Sequence, residues 1–231
     1  KIIIPAREGS KGLPGKNTKI LVDKPLIDYS IQTALNIVEP ESIFVTSDSI
    51  EILKWGEHYG VKNFLRPKKL ASDQSPILET LFHTVNCYER EFKEKIDQIL
   101  LLQPTFPIRD LLEIKKAIDI FKDKKLSSLV SVTKMKEHPC ECISFLDAFP
   151  KEWRFLVDPN NKTNRQTYSD NHFFINGNFY IAKIKMLKSF NSFFFKDTYF
   201  FECHNKFVID IDDLEDFRYA EYCLKRINIK N

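Results

Sequence analysis

Between Arg7 and Asn17 the chain gathers three glycines (Gly9, Gly12, Gly15) and three cations (Arg7, Lys11, Lys16). Glycine lets a backbone N–H come close to an anion, and the cations add charge, so the chemistry offered is the cradling of a polyphosphate. Two familiar glycine motifs do not describe this loop. A Walker loop has four residues between its first glycine and a Gly-Lys-Ser/Thr end, whose hydroxyl holds magnesium. Here five residues separate Gly9 from Gly15, and Asn17 follows Lys16. The dinucleotide fingerprint Gly-x-Gly-x-x-Gly fails too, because these glycines recur at every third residue. The plainer alternative is a glycine-rich surface turn with solvated lysines.

Asp210-Ile-Asp212 is the second group with chemical potential. Residues two apart on a strand point to one side, so both carboxylates can meet one cation, and magnesium favours such hard oxygen ligands. Asp212 can equally cap the closing helix, with Glu215 completing a capping box. Gln103-Pro-Thr-Phe-Pro-Ile-Arg109 ends an apolar run. The Gln103 amide suits sugar hydroxyls, and Arg109 is either a ligand-binding group or a structural cation near the next helix. Arg66 and Asp73 are further site candidates, or members of a solvated salt bridge. Arg165 can pair bidentately with a substrate carboxylate, although by itself it reads as a surface residue. His138-Pro-Cys140-Glu-Cys142, even with Cys203-His204, matches no structural zinc spacing.

These residues need a scaffold, and hydrophobic periodicity supplies one. Ile2–Ile4, Ile43–Val45, Ile99–Leu102 and Ser128–Val132 read as buried strands. Helical spacing separates them: Ile27, Ile31, Ala34, Leu35 and Val38; then Ile52 and Trp55, with Ser47-Asp-Ser49 as cap. A helix opened by Ser75-Pro76 places Leu78, Leu81, Phe82, Val85 and Phe92 on one face, and Leu111, Ile114, Ile118 and Phe121 form another. Alternation of this kind predicts an α/β fold, with a mostly parallel central sheet and helices on both faces. The glycine loop and Gln103 then lie at the carboxyl ends of strands, where open α/β sheets bind ligands. From Met135 to Asn171 the chain turns polar and proline-containing, which predicts an inserted lobe within one domain. Phe173–Ile181 and Val208–Ile211 read as later strands, with an aromatic stretch around Phe193 and Tyr199 between them. A closing helix follows, carrying Leu214, Phe217, Ala220, Leu224 and Ile227.

Composition narrows the classes. The 231 residues suffice for one large core, and 43% hydrophobic with 29% charged residues is globular composition. A net charge of +3, without a block of cations, argues against a nucleic-acid partner. No apolar run approaches a membrane span and no signal peptide is visible, so a cytoplasmic location is expected. Five cysteines, an odd number, read as reduced thiols. The chain starts at Lys1 without Met, so at least one residue is expected before it. Abundant Lys, Ile, Asn and Phe suit a low-GC bacterial source.

Taken in order, five segments resemble the acylneuraminate cytidylyltransferases, the CMP-sialic (CMP-nonulosonic) acid synthetases. They are Ile4-Pro-Ala-Arg-Glu-Gly-Ser-Lys-Gly-Leu-Pro-Gly-Lys-Asn17, Leu65-Arg-Pro-Lys-Lys-Leu-Ala-Ser-Asp73, Leu101-Leu-Gln-Pro-Thr-Phe-Pro-Ile-Arg109, Asn176-Gly-Asn-Phe-Tyr-Ile181 and Asp210-Ile-Asp212. Lys11-Gly12 and Lys16-Asn17 follow the sialate-type pattern rather than that of the octulosonate-activating enzymes. The resemblance implies a Rossmann-like nucleotide-diphospho-sugar transferase fold, formed as one domain over residues 1–231 with a dimerisation and sugar-binding insert at about 135–171. It implies magnesium-dependent transfer of CMP from CTP to a nine-carbon 2-keto sugar acid of sialic, legionaminic or pseudaminic type. Such a reaction supplies surface glycans, and the enzyme is a homodimer. By the same resemblance Ala6, Arg7, Ser10, Lys11, Lys16, Asn17 and Arg66 bind CTP, with Asp210, Lys16 and Arg7 the catalytic set. Asp210 and Asp212 hold magnesium, and Gln103, Arg165 and Tyr180 face the sugar. Phe193 and Phe194 form an aromatic wall supplied to the partner subunit. Two residues depart from the pattern: Phe106 replaces a small hydroxyl residue, and Glu141 stands where a sugar-binding lysine is expected. Other readings are activation of another acid sugar such as an octulosonate, a non-catalytic nucleotide-sugar binding protein of this fold, or a P-loop kinase, which the Walker spacing disfavours.

Overall fold

A computed structural model describes residues 1–145, 152–158 and 172–228. In chain order the first half runs β1 (Ile2–Pro5), a small hairpin of β2 (Ile20–Leu21) and β3 (Lys24–Pro25), α1 (Leu26–Leu35), β4 (Ile43–Ser47), α2 (Ile50–His58), β5 (Lys62–Leu65) and α3 (Ile77–Phe92). The rest comprises β6 (Gln98–Leu101), α4 (Leu111–Asp123), β7 (Ser128–Lys134), β8 (Ile143–Phe145), β9 (Trp153–Phe155), β10 (Phe173–Lys183), α5 (Ile184–Phe190), β11 (Tyr199–Glu202) and α6 (Leu214–Asn228). Seven strands form the central sheet in the order β11-β7-β10-β6-β1-β4-β5. All pair in parallel except β10, which runs antiparallel to both β6 and β7. This is the α/β sheet that the alternating pattern predicts.

Strand side chains alternate between faces, so β1 feeds two cores. Ile2 and Ile4 pack with α1, α2 and α4 through Ile27, Ile31, Ile52, Ile114 and Phe121. Ile3 packs on the other face with α3 and α5 through Leu81, Val85 and Leu187. Burial of each such side chain stabilises by roughly 1.5–3 kcal/mol, which explains why uninterrupted apolar runs become central strands. A third cluster joins Leu13 of the glycine loop to Ile209, Ile211 and the inner face of α6, Phe217, Ala220 and Cys223. That cluster matters most for function, because it clamps two distant segments of chain together.

Several expectations need correction. Val208–Ile211 is not a strand: it crosses the strand ends as a loop, so it has no strand alongside it to pair with, and Ile211 N–H bonds Thr105 C=O instead at 2.8 Å. The last strand is the aromatic β11, at the sheet edge beside β7. Ser49 sits at the start of α2, but its hydroxyl makes no cap; Ser47 Oγ accepts from Ser49 N–H at 3.0 Å. Phe92 and Leu214 are exposed, because each lies at a helix end where the apolar stripe has left the core. Asp110, by contrast, caps α4 by accepting from Leu112 N–H at 2.8 Å. All five cysteines are unpaired.

Candidate active site

The loop between β1 and α1 is shaped by three glycines used in three ways. Gly15 has φ +64°, a conformation costly for other residues, and it starts the tight turn Lys16–Thr18. Gly12 lies against the Asp212 carbonyl so closely that a Cβ would overlap it. Gly9 has open space around it. The close approach expected of all three glycines is therefore, at Gly12, an approach to the chain's own aspartate segment. Leu13 secures this contact from within the third core cluster.

Lys16 is only 7% exposed, and its Nζ donates to Ile211 C=O at 2.5 Å while standing 3.6 Å from Asp212 Oδ1. Asn17 is also buried and donates through Nδ2 to Arg7 C=O at 2.7 Å. Arg66 donates to Thr80 Oγ1 at 3.2 Å. Burial pulls the Arg66 pKa below its usual range, with Asp48 opposing and Arg7 reinforcing the shift. Asn17 Oδ1 and Arg66 Nε have no hydrogen-bond partner among the described residues. The site thus holds polar capacity that the fold itself does not use.

The end of α6 decides between the two roles of Asp212. Asp213 Oδ1 accepts from Glu215 N–H and Asp216 N–H, both at 2.9 Å. Asp216 Oδ2 in turn accepts from Asp212 N–H at 3.0 Å and Asp213 N–H at 3.3 Å. The capping box therefore falls one residue later than the Asp212–Glu215 alternative. The Asp212 side chain stays 83% exposed. Ile209 and Ile211 are buried while Asp210 and Asp212 turn into the cleft, so both carboxylates point to one side although no strand is present. Burial raises the Asp210 pKa; the Thr105 hydroxyl opposes this, the Asp212 charge adds to it, and Lys16 offsets part. Two carboxylates crowding one spot form a fitting donor set for magnesium, which takes one or two and completes its shell with water and phosphate oxygens. Among the described residues no group of three or more metal-ligating side chains exists, so the pair would rely on such oxygens.

Asn176-Gly-Asn178 interrupts β10. The register passes from Ile175 opposite Val132 to Tyr180 opposite Val130, so β10 advances five residues while β7 retreats two. Ser131 stitches the bulge, donating to Asn176 Oδ1 at 2.7 Å and accepting from Phe179 N–H at 3.0 Å. Gly177, at φ +73°, lies over the site; a Cβ there would come 3.5 Å from Asp210 Oδ2 and 3.7 Å from Gln103 Oε1. Arg109 braces this region with three bonds: Nε to Asn178 C=O at 3.1 Å, Nη1 to Ser30 Oγ at 2.9 Å and Nη2 to Gln103 C=O at 2.6 Å. Desolvation pulls its pKa down to about 9 against the pull of Asp210, so it stays cationic at neutral pH. Arg109 is a structural cation.

Arg7, Ser10, Lys16, Asn17, Arg66, Gln103, Asp210 and Asp212 line one cleft of about 310 Å³ at the strand ends. Lys11 stands at its rim, bound to Asp73 at 3.0 Å. Ala6 is fully buried and its N–H is spent on Thr46 C=O at 2.9 Å, so its amide is not free for a nucleotide. Tyr180 lies outside the cleft lining; burial and the Asp210 charge push its phenol pKa up. Phe193 is buried in the core, 5.0 Å from the Tyr180 ring, and so offers no face outward, whereas Phe194 is 45% exposed. Arg165 lies outside the described residues. Phe106 is buried at 1% exposure, and Glu141 is exposed on a short turn. Sequence reasoning missed Ser72, Ser75, Thr80 and Thr105, which also line the cleft. Ser72 and Thr105 lie within the quoted segments, but as common hydroxyl residues none of the four drew a role of its own. It also missed a site role for Gly177, although Asn-Gly-Asn inside an apolar strand was a readable sign of a bulge.

Comparison with known proteins identifies relatives of the chain. Among curated relatives, the chain is 35% identical over 219 residues to an N-acylneuraminate cytidylyltransferase of Escherichia coli, covering 94% of this chain and 50% of that protein. It thus spans half the length of that relative. It is 35% identical over 199 residues to a CMP-N,N'-diacetyllegionaminic acid synthase of Legionella pneumophila, covering 85% of this chain and 83% of the relative. A solved structure, CMP:2-keto-3-deoxy-manno-octonic acid synthetase complexed with CTP, superposes with a TM-score of 0.68 at 15% identity, covering 97% of this chain and 98% of that one. At that identity the likeness speaks to the fold, a nucleotidyltransferase α/β fold. The cytidylyltransferase family profile matches residues 1–221, nearly the whole chain, and the protein belongs to that family.

Proposed function

We propose that the protein transfers CMP from CTP to the anomeric hydroxyl of a nine-carbon 2-keto sugar acid, releasing pyrophosphate. One observation carries this reading: Lys16 and Asp212, far apart in sequence, are locked together at a cleft that also holds Arg7 and Arg66. Buried cations beside paired carboxylates suit a metal-bound nucleoside triphosphate. Release of Asp212 from helix capping supports catalysis over mere nucleotide-sugar binding. The names of the E. coli and Legionella relatives support an acid sugar of the nonulosonate class.

In this reading Arg7, Ser10, Lys11 and Lys16 hold the triphosphate, Asn17 and Arg66 the nucleoside end, and Gln103 the sugar. The sugar's C2 oxygen attacks the α-phosphorus, the bond to the β-phosphate oxygen breaks, and the hydroxyl proton leaves to solvent. Lys16 is fixed before substrate arrives, so its charge meets the departing pyrophosphate at no reorganisation cost. Asp210 and Asp212 would hold magnesium, which when bound neutralises α-phosphate charge and acidifies the attacking hydroxyl. Phe194 and the exposed apolar side chains of β8, β9 and the start of β10, including Phe145, Trp153 and Phe174, support a homodimer in which the lobe meets a second copy. No described helix is long and apolar enough to cross a membrane, which fits the proposed cytoplasmic setting, where CTP is available.

The test is pyrophosphate release from CTP and magnesium across nine-carbon and eight-carbon keto acids. Release with a nine-carbon acid is expected. Measurable CTP binding with no release from any acid would remove the catalytic reading.

A further inference from the structure

Resting on the reading that Arg7 and Lys11 take the triphosphate, we infer that Asp73 is an internal competitor that holds those two cations until a phosphate-bearing ligand displaces it. The Asp73 carboxylate is engaged at both oxygens: Arg7 Nη1 lies 2.7 Å from Oδ1, and Lys11 Nζ lies 3.0 Å from Oδ2. The contact crosses 66 residues of sequence to reach Arg7, so it is a product of the fold and not a neighbour effect. A tied turn presents it. Ser75 Oγ donates to Lys69 C=O at 2.6 Å, Ser72 and Ser75 hydroxyls meet at 2.7 Å, and Thr80 Oγ1 holds Leu70 C=O at 3.1 Å.

A carboxylate spanning two cations presents two oxygens as a phosphoryl group does, with less charge. An anion that takes the Arg7 and Lys11 donors now turned to Asp73 must displace it. A polyphosphate that also reaches Lys16, in the same cleft, offsets that displacement. Lys11 is 86% exposed, so its arm is free to change partners. The hydrogen bonds from Lys11 and then Arg7 hold the Asp73 pKa below the usual carboxylate range, so the competitor stays ionised throughout the neutral range. After transfer, the same carboxylate recaptures its cations and favours release of pyrophosphate.

Calorimetric titration of the intact protein and the Asp73→Asn variant with pyrophosphate, CTP and cytidine tests this. Removing the competitor should tighten pyrophosphate and CTP roughly three- to tenfold, the range expected for two exposed ion pairs, and leave cytidine unchanged. Asp73→Ala should act in the same direction. Unchanged or weaker pyrophosphate binding in both variants, with native circular dichroism, overturns the inference alone. Failure of the unmodified protein to bind either CTP or pyrophosphate overturns the triphosphate reading, and this inference with it.

Discussion

Lys16, 7% exposed, and Phe174, 58% exposed, typify two halves of the strand ends that are built in different ways. On the first side, cations and carboxylates are clamped by buried atoms: Leu13 and Ile211 share a core cluster, and Lys16 bonds the backbone of the segment that carries Asp210 and Asp212. On the second, the β8–β9 hairpin, the start of β10 and Phe194 hold large apolar groups outward. A charge pattern that grips a triphosphate has to be preorganised, because every reorganisation of charge is paid at the barrier. Apolar surface of that extent instead marks a place where another surface docks. On the proposed reading, the contrast teaches that the nucleotide chemistry is specified inside this chain, while part of the sugar's handling falls to side chains it turns outward.

The hardest test of that division is Asp210→Ala. If the clamped half carries the chemistry, turnover should fall roughly a thousandfold, while circular dichroism stays native and the melting midpoint does not fall by more than a degree or two. Turnover within tenfold of normal would make the carboxylate pair incidental. Next in size is Gly177→Ala, in the bulge over Asp210. A positive φ costs an alanine about 1–2 kcal/mol, and in a chain of this length that lowers the melting midpoint by roughly 2–8 °C. Activity should drop about tenfold, because the strained bulge shifts against Asp210 and Gln103. A silent substitution would show that the bulge does not position them.

The sequence disclosed the clamped half unevenly. Apolar runs at Ile2–Ile4 and Ile43–Val45 were legible because burial on both faces leaves no alternation to confuse. The same local logic misread Val208–Ile211, since alternation of Ile209 and Ile211 with Asp210 reports which side faces the core and not whether a strand lies alongside. Asp212 and Asp213 are adjacent and identical, so nothing local tells which one caps α6; Asp216 settles it by reaching back to both backbone amides. The role of Gly12 was hidden because its partner, Asp212, is distant in the chain. Of the outward half, Phe193 was misplaced for the converse reason: two adjacent phenylalanines look alike, and only packing against Tyr180 buries one and leaves the other exposed.

Phe194→Ala sharpens the comparison from the outward side. Its KM for the sugar acid should rise by roughly two- to tenfold, the range of a single aromatic contact, while the KM for CTP stays fixed. An equal change in both would mean that the two halves are one site energetically. Steady-state kinetics with each substrate varied in turn separates these outcomes.

The smallest effect concerns stability. Burial and the Asp212 charge raise the Asp210 pKa in the folded chain, so folding binds its proton more tightly than the unfolded chain does. The sign follows from linkage: this contribution favours the folded state at low pH and is lost as pH rises from the ordinary carboxylate range through the raised folded value. At neutral pH the ionised carboxylate therefore opposes folding. Asp210→Asn, which keeps the shape and removes the charge, should raise the metal-free melting midpoint by a degree or two at pH 7, and the gain should vanish below about pH 4. Phe194→Ala should show no such pH-dependent gain. An Asp210→Asn midpoint that stays lowered at every pH would mean that the clamped half holds its carboxylates without electrostatic cost, and the contrast with the outward half would then be one of packing alone.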